Sequence, residues 1–217
     1  MANKKTGELI EIKKVKMEEY QLTIVGDTPL IVHAWSDKAK KMMLDTQQKK
    51  TKTKSKEVRD PFDEFINSMY WLTEKPKSNP RAFEEAVNNG AQWGFPVTAI
   101  KQAGNASAYR LGWVKNQMEL RGSYFLKTEY GEKARIEGSI PEMREDMVRI
   151  GMGSADLRYR AEFKEWKMHL TLQYNASGNL TLEQIINVID AGGCVCGIGE
   201  WRPEKDGDNG RYHVELG

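Results

Sequence analysis

Apolar positions recur along this chain with two periods. Tyr20-Gln21-Leu22-Thr23-Ile24-Val25 alternates apolar with polar, the period of a half-buried strand. Gly26-Asp27-Thr28-Pro29 interrupts it as a turn, and Leu30-Ile31-Val32-His33 resumes it, which predicts one bent strand or a tight strand pair. Ser36 is placed to cap a helix over 37–48 that carries Ala39, Met42 and Met43 on one side. Asp60-Pro61 opens a second helix, with proline at the first helical position, where its missing N–H costs nothing. Phe62, Phe65, Ile66 and Met69 then fall at i, i+3, i+4 and i+7, a buried face. Asn79-Pro80 starts a third helix that stops at Asn89-Gly90. Pro96 starts a fourth, running through Ile100 and Ala103 to about Tyr109 despite Gly104.

The second half turns to the strand period. Gln117 to Lys127 reads as a strand, with Ala134-Arg135-Ile136-Glu137 as its hairpin partner. Residues 141–162 read as a long loop with room for a short helix. Trp166, Met168, Leu170, Leu172 and Tyr174 alternate with polar residues in the clearest strand of the chain. Leu180-Thr181-Leu182-Glu183 opens a helix with Ile185, Ile186 and Ile189 inward, ended by Gly192-Gly193, and Arg211 to Glu215 is a last strand. The order strand, insertion, helix, strands, helix, strand predicts an α+β fold with a ferredoxin-like or RRM-like core. Residues 1–217 form a single domain on this reading, with a helical and disordered insertion over 34–95.

Charge changes the picture locally. The net charge of +2 over 217 residues announces no partner, but Lys38, Lys40, Lys41, Lys49, Lys50, Lys52, Lys54 and Lys56 stand against the single acid Asp45. Such a run suits phosphate contacts with release of condensed counterions, although a solvated, solubilising loop has the same composition. Residues 49–58 have no apolar anchor and are expected to be mobile. Two cysteines one residue apart, Cys194 and Cys196, read as small buried residues of a reducing compartment. With no apolar run behind Met1 and none long enough for a bilayer, the expectation is a cytoplasmic protein without membrane contact.

A second candidate surface is the glycine-rich segment 192–212. Gly197, Gly199, Gly207 and Gly210 allow close backbone approach, while Trp201, Arg202, Lys205, Arg211 and Tyr212 add charge and base-stacking rings. Trp201 is the favoured platform, ahead of Trp35, Trp113 and Tyr212. The segment matches neither a dinucleotide fingerprint nor a P-loop. Arg149, Arg158 and Arg160, beside Tyr159, add further phosphate contacts, with structural ion pairs to Glu142, Glu145, Asp146 and Asp156 as the equal alternative. His33, His169 and His213 lack metal-ligand spacing, so no catalytic residue, metal or cofactor is expected.

Two resemblances add to this. Gly197-Ile198-Gly199, the charged spacer and Gly210-Arg211-Tyr212, together with Val25 to His33, resemble the glycine-rich loop and opening strand of the CRISPR-associated RAMP superfamily, although the final glycine of that loop is missing here. That likeness implies a RAMP-like core that holds RNA. Pro29 to Ser36, Pro141 to Asp146 and Gly199 to Lys205 look like an uncharacterised family of phage and prophage proteins from replication–recombination clusters. Together they imply a phage protein binding single-stranded nucleic acid, DNA before RNA, as a side-by-side homo-oligomer in the host cytoplasm. A phage factor that inhibits a host defence complex by subunit mimicry, with a host or phage protein as partner, is the second reading. A RAMP-like ribonuclease is the third.

Overall fold

In the computed structural model, residues 14–35, 37–48, 59–150 and 153–216 are described. The Ser36 cap and the segment 49–58, expected to be mobile, lie outside them, as do residues 1–13. Among the described residues the fold is α+β, 33% helix and 35% strand, and every strand pairing is antiparallel. Strand β1 (Met17–Gly26) lies between β10 (Tyr212–Leu216) and β9 (Trp166–Asn175). Next to β9 comes β6 (Lys133–Gly138), then β4 (Trp93–Pro96) and β3 (Tyr70–Trp71). A short strand, β5 (Tyr124–Lys127), also pairs with β9. Two helices, α4 (Val97–Arg110) and α6 (Leu182–Ala191), pack against each other beside this sheet.

The alternation along β9 is realised: Trp166, Met168, Leu170, Leu172 and Tyr174 are buried and face the core. Leu22 and Ile24 of β1 join them, with Ile100 of α4 and Ile185 and Ile189 of α6. Helix α6 begins with a reciprocal capping box between Thr181 and Gln184. Gly104, which weakens α4 as an isolated helix, is there because the helices cross tightly. A Cβ on it would sit 2.9 Å from the Val188 carbonyl oxygen.

Several expectations are corrected. The first strand is not one bent strand or a self-paired couple: β2 (Leu30–Val32) leaves for a separate sheet of order β2-β8-β7. Residues 141–162 are not a loop but a long hairpin, β7 (Glu142–Ile150) and β8 (Ser154–Phe163). Its middle buries the ion-paired Asp146 and Arg160, and its apolar buried residues, Ala161 and Phe163, come only at the end of β8, which hid the period of two. Residues 117–127 are not one strand: α5 (Met118–Arg121) precedes β5, nucleated by Asn116, whose side chain accepts from the Met118 N–H while its own N–H donates to Glu119. Nor do β5 and β6 form a hairpin, since both lie along the same side of β9. Cys196 is buried, but Cys194 is exposed.

Residues 34–95 contribute strands to the large sheet and pack a helix on the small one. After α1 (Asp37–Gln47), helix α2 (Pro61–Ser68) packs on β8, and helix α3 (Pro80–Asn88) presents Phe83 to Phe65 at a ring separation of 5.3 Å. Trp71 meets Trp93 at 5.7 Å, and Trp93 meets Phe163 at 6.0 Å, so a chain of rings joins the two sheets. Among the described residues no helix is long and apolar enough to cross a membrane.

The crossing at Gly104 gives a test whose sign is not obvious. Replacing glycine within a helix gains up to about 1 kcal/mol of propensity, but overpacking costs typically about 1–3 kcal/mol. The obstacle here is backbone, which yields little, so Gly104→Val is expected to lower the urea midpoint.

Candidate nucleic-acid interface

The glycine-rich segment is built as a rigid brace. After α6 the chain makes a π-helical turn, Gly192–Cys196, and buries Ile198. Backbone bonds then fasten it to residues 27–31: Gly210 N–H to Pro29 O at 2.8 Å, Glu200 N–H to Ile31 O at 2.9 Å, and Asp27 N–H to Arg211 O at 2.9 Å. Gly210 has φ +67°, and a Cβ there would lie 1.7 Å from the Ile198 carbonyl oxygen, so only glycine fits. Trp201, 37% exposed, also holds a left-handed φ of 51°, while its carbonyl accepts the Asn209 N–H at 3.0 Å. A bulky residue in that region is strained and is retained only where its surroundings enforce it.

Between this brace and α4 lies a cleft of about 460 Å³, lined among others by His33, Tyr70, Gln102, Gln117, Arg121, Glu200 and Arg202. Its charges are largely matched. Arg202 donates to both Glu204 (2.8 Å) and the Gly199 carbonyl (2.9 Å), and Arg110 donates to Glu204 at 2.9 Å. His33 Nδ1 lies 3.4 Å from Glu200, whose other oxygen is 3.8 Å from Arg160. The hydrogen bond with His33 holds the Glu200 carboxyl below its ordinary range, and the charges of Arg160, His33 and Arg202 act the same way against burial. Burial, with the Glu200 charge behind it, pushes the Tyr70 hydroxyl up.

Tyr70 also lines a second cleft, of about 330 Å³, with Ala34, Trp35, Lys40, Asn67, Met69, Trp71, Lys75 and Lys133. Among the described residues, three lysines and three aromatic residues line it, and no carboxylate does. The Ala34 N–H bonds the Ser68 carbonyl at 2.7 Å and fixes the turn that presents Trp35, which is 61% exposed. Lys75 donates to Asn67 at 3.0 Å, and the Trp71 indole N–H donates to the Ile66 carbonyl at 2.9 Å. Tyr70, Trp71, Lys75, Lys133, Arg121, Gln102 and Gln117 were not singled out by sequence. Only the adjacent pair Tyr70-Trp71 after a helix could have hinted at them.

The sequence-predicted contacts divide sharply. Lys40 lines the second cleft, Lys41 is exposed on the same helix, and Lys38 belongs to that helix; Lys49, Lys50, Lys52, Lys54 and Lys56 lie outside the described residues. Arg202 lines the first cleft, Lys205 is exposed and Arg211 is half-buried. Two expectations are corrected. Tyr212 is 1% exposed, packed on Trp166 at a ring separation of 6.2 Å, because β10 turns it into the core where no base could stack on it. Arg160 is 6% exposed and paired with Asp146 at 3.3 Å, because that face of the hairpin is turned inward. Arg158 pairs with Asp156 at 3.0 Å, and Arg149 is exposed well along the hairpin.

The histidines are dispersed. His33 borders the first cleft, while His169 meets Thr23 (2.8 Å) and His213 meets Asp27 (2.6 Å) on the exposed positions of the large sheet. Among the described residues no three His, Cys, Asp or Glu side chains are grouped to hold a metal ion. No family model matches the chain, and no curated protein matches it in sequence.

The Glu200 network makes stability pH-dependent. A carboxyl whose folded value lies below its ordinary 4.5 contributes fully above 4.5 and loses that contribution as pH falls through the folded value. Urea melts of wild type and Glu200→Gln are therefore expected to differ most near neutral pH and to converge in acid.

Proposed function

We propose that the chain binds single-stranded nucleic acid, DNA before RNA, without reading its sequence and without catalysing a reaction. The observation that carries this is the cleft that brings Trp35, Tyr70 and Trp71 together with Lys40, Lys75 and Lys133. Aromatic faces take up bases of any identity, and ammonium groups follow the phosphates. Because Tyr70 also lines the first cleft, under the glycine-rich brace, a strand leaving the lysine-lined cleft enters the first one beside Arg121 and Arg202. The carboxylates of Glu200 and Glu204 make that first cleft better suited to base edges than to phosphates.

A ferredoxin-like core is part of the same proposal. It is supported by the strand order β10-β1-β9-β5, with α4 lying between β1 and β5 in the chain and α6 between β9 and β10. With that core, the resemblance of the glycine-rich segment to RAMP proteins, and of three segments to phage replication–recombination proteins, favours a phage protein acting in a cell's cytoplasm. RNA cleavage is a second reading, favoured by the His33–Glu200 pair in the first cleft. It predicts cleaved RNA that disappears in His33→Ala with binding intact.

The test is filter binding with single-stranded DNA, duplex DNA and RNA at two salt concentrations. Trp35→Ala is expected to weaken single-strand binding by roughly 1–3 kcal/mol, the usual worth of one stacked base, without lowering thermal stability. Charge reversal at Lys40, Lys75 and Lys133 should weaken all sequences alike and flatten the salt slope by about 2, at roughly 0.7 per phosphate. Binding and slope unchanged by both sets of substitutions would reject the cleft as the site.

A further inference from the structure

The sheet β2-β8-β7 ends on β7, whose outer side has no strand against it among the described residues. Such an edge presents a row of N–H and C=O groups that bond either water or another strand. The ladder with β8 sets which residues share a face. Met143↔Ala161, Glu145↔Tyr159, Met147↔Leu157 and Arg149↔Ala155 lie on one; Arg144↔Arg160 and Asp146↔Arg158 lie on the other.

The two faces differ in kind. The second is occupied by ion pairs within the chain: Arg144 with Asp146 and Glu162, and Arg160 with Asp146. The first leaves Met143, Met147 and Leu157 exposed at 48%, 72% and 41%. Glu145 and Arg149 flank Met147 there, also exposed.

We propose that this edge is where two copies of the chain meet, with β7 pairing antiparallel to β7 of the second copy about a two-fold axis at Met147. A two-fold axis normal to the sheet keeps the same face outward in both copies. Centred on Met147, the register sets Glu145 of each copy opposite Arg149 of the other. It also sets Leu157, Met147, Met147 and Leu157 in one apolar row across four strands. The other centres fail: an axis at Glu145 or Arg149 opposes like charges, and one at Asp146 or Val148 leaves Glu145 without an opposite charge. Cross-strand pairs of this kind are what fix a sheet register. Arg149, suited by sequence to a phosphate, is assigned to the partner copy instead. The interface stands independently of the nucleic-acid reading, since none of these residues lines either cleft.

Sedimentation velocity on the full chain tests it, with thermal melts as the check on folding. Wild type is expected to be a dimer. Glu145→Arg converts two opposite-charge pairs into two like-charge pairs and should weaken the dimer by roughly tenfold or more. Adding Arg149→Glu to that variant should restore it. Met147→Lys, which sets two ammonium groups at the axis, is a second dissociating variant should Glu145→Arg fail to fold. A monomeric wild type, a dimer untouched by these substitutions, or a folded double variant that stays monomeric would overturn the proposal.

Discussion

The backbone bonds between residues 27–31 and the glycine-rich brace hold the two halves of the structure in register. Strand β1 ends at Gly26 in the large sheet, and β2 begins at Leu30 in the small one. A chain that changes sheets in so few residues strands its peptide groups away from either ladder. Such groups need partners when buried, at a cost comparable to a lost hydrogen bond for each one left over. The brace supplies them: Pro29 and Ile31 carbonyls accept from Gly210 and Glu200, and the Thr28 hydroxyl accepts from the Arg211 N–H at 3.0 Å. Both clefts follow from this joint. His33 and Trp35 emerge just past it on one side, and Glu200 and Arg202 on the other.

Charge performs the remaining junction, between the brace and the hairpin. Asp146 and Arg160 are each 6% exposed, and Arg160 reaches from Asp146 toward Glu200. Burying ions costs several kcal/mol each unless geometry and further hydrogen bonds compensate. Among the described residues the Arg160 Nε has no hydrogen-bond partner, so this compensation is incomplete there. The pair is therefore better understood as fixing where the hairpin sits than as a source of stability. That position leaves the Met147 face of the hairpin outward, and it orients Glu200 against His33 at the mouth of the first cleft.

Much of the core was legible from local pattern because local physics decides it. The spacing of Phe62, Phe65, Ile66 and Met69 specified the inner face of α2, and Asp60 caps that helix as its sequence suggests. The strict alternation from Trp166 to Tyr174 specified which side of β9 is buried. The hairpin escaped because its middle positions carry Arg144, Asp146 and Arg160, polar residues whose pairing is completed across the strands, by Arg160 with Asp146 and Arg144 with Glu162. Helix α5 escaped because one asparagine and one glutamate outweigh the strand propensity of the residues that follow.

The functional surface divides the same way. Sequence alone determined that lysine is concentrated around α1 and that glycines, a tryptophan and arginines crowd the segment after α6. Both are properties of contiguous residues. Only the tertiary structure decided that Tyr212 and Arg160 are inside, and that Arg202 is shared with Glu204. It alone gathered Trp35, Tyr70, Trp71, Lys75 and Lys133 around one cleft. These residues come from the turn after β2, from β3 and the loop behind it, and from β6. Composition measures which groups are present, but a binding site depends on which of them are gathered at one place, and that is fixed by long-range pairing rather than by neighbours in the chain.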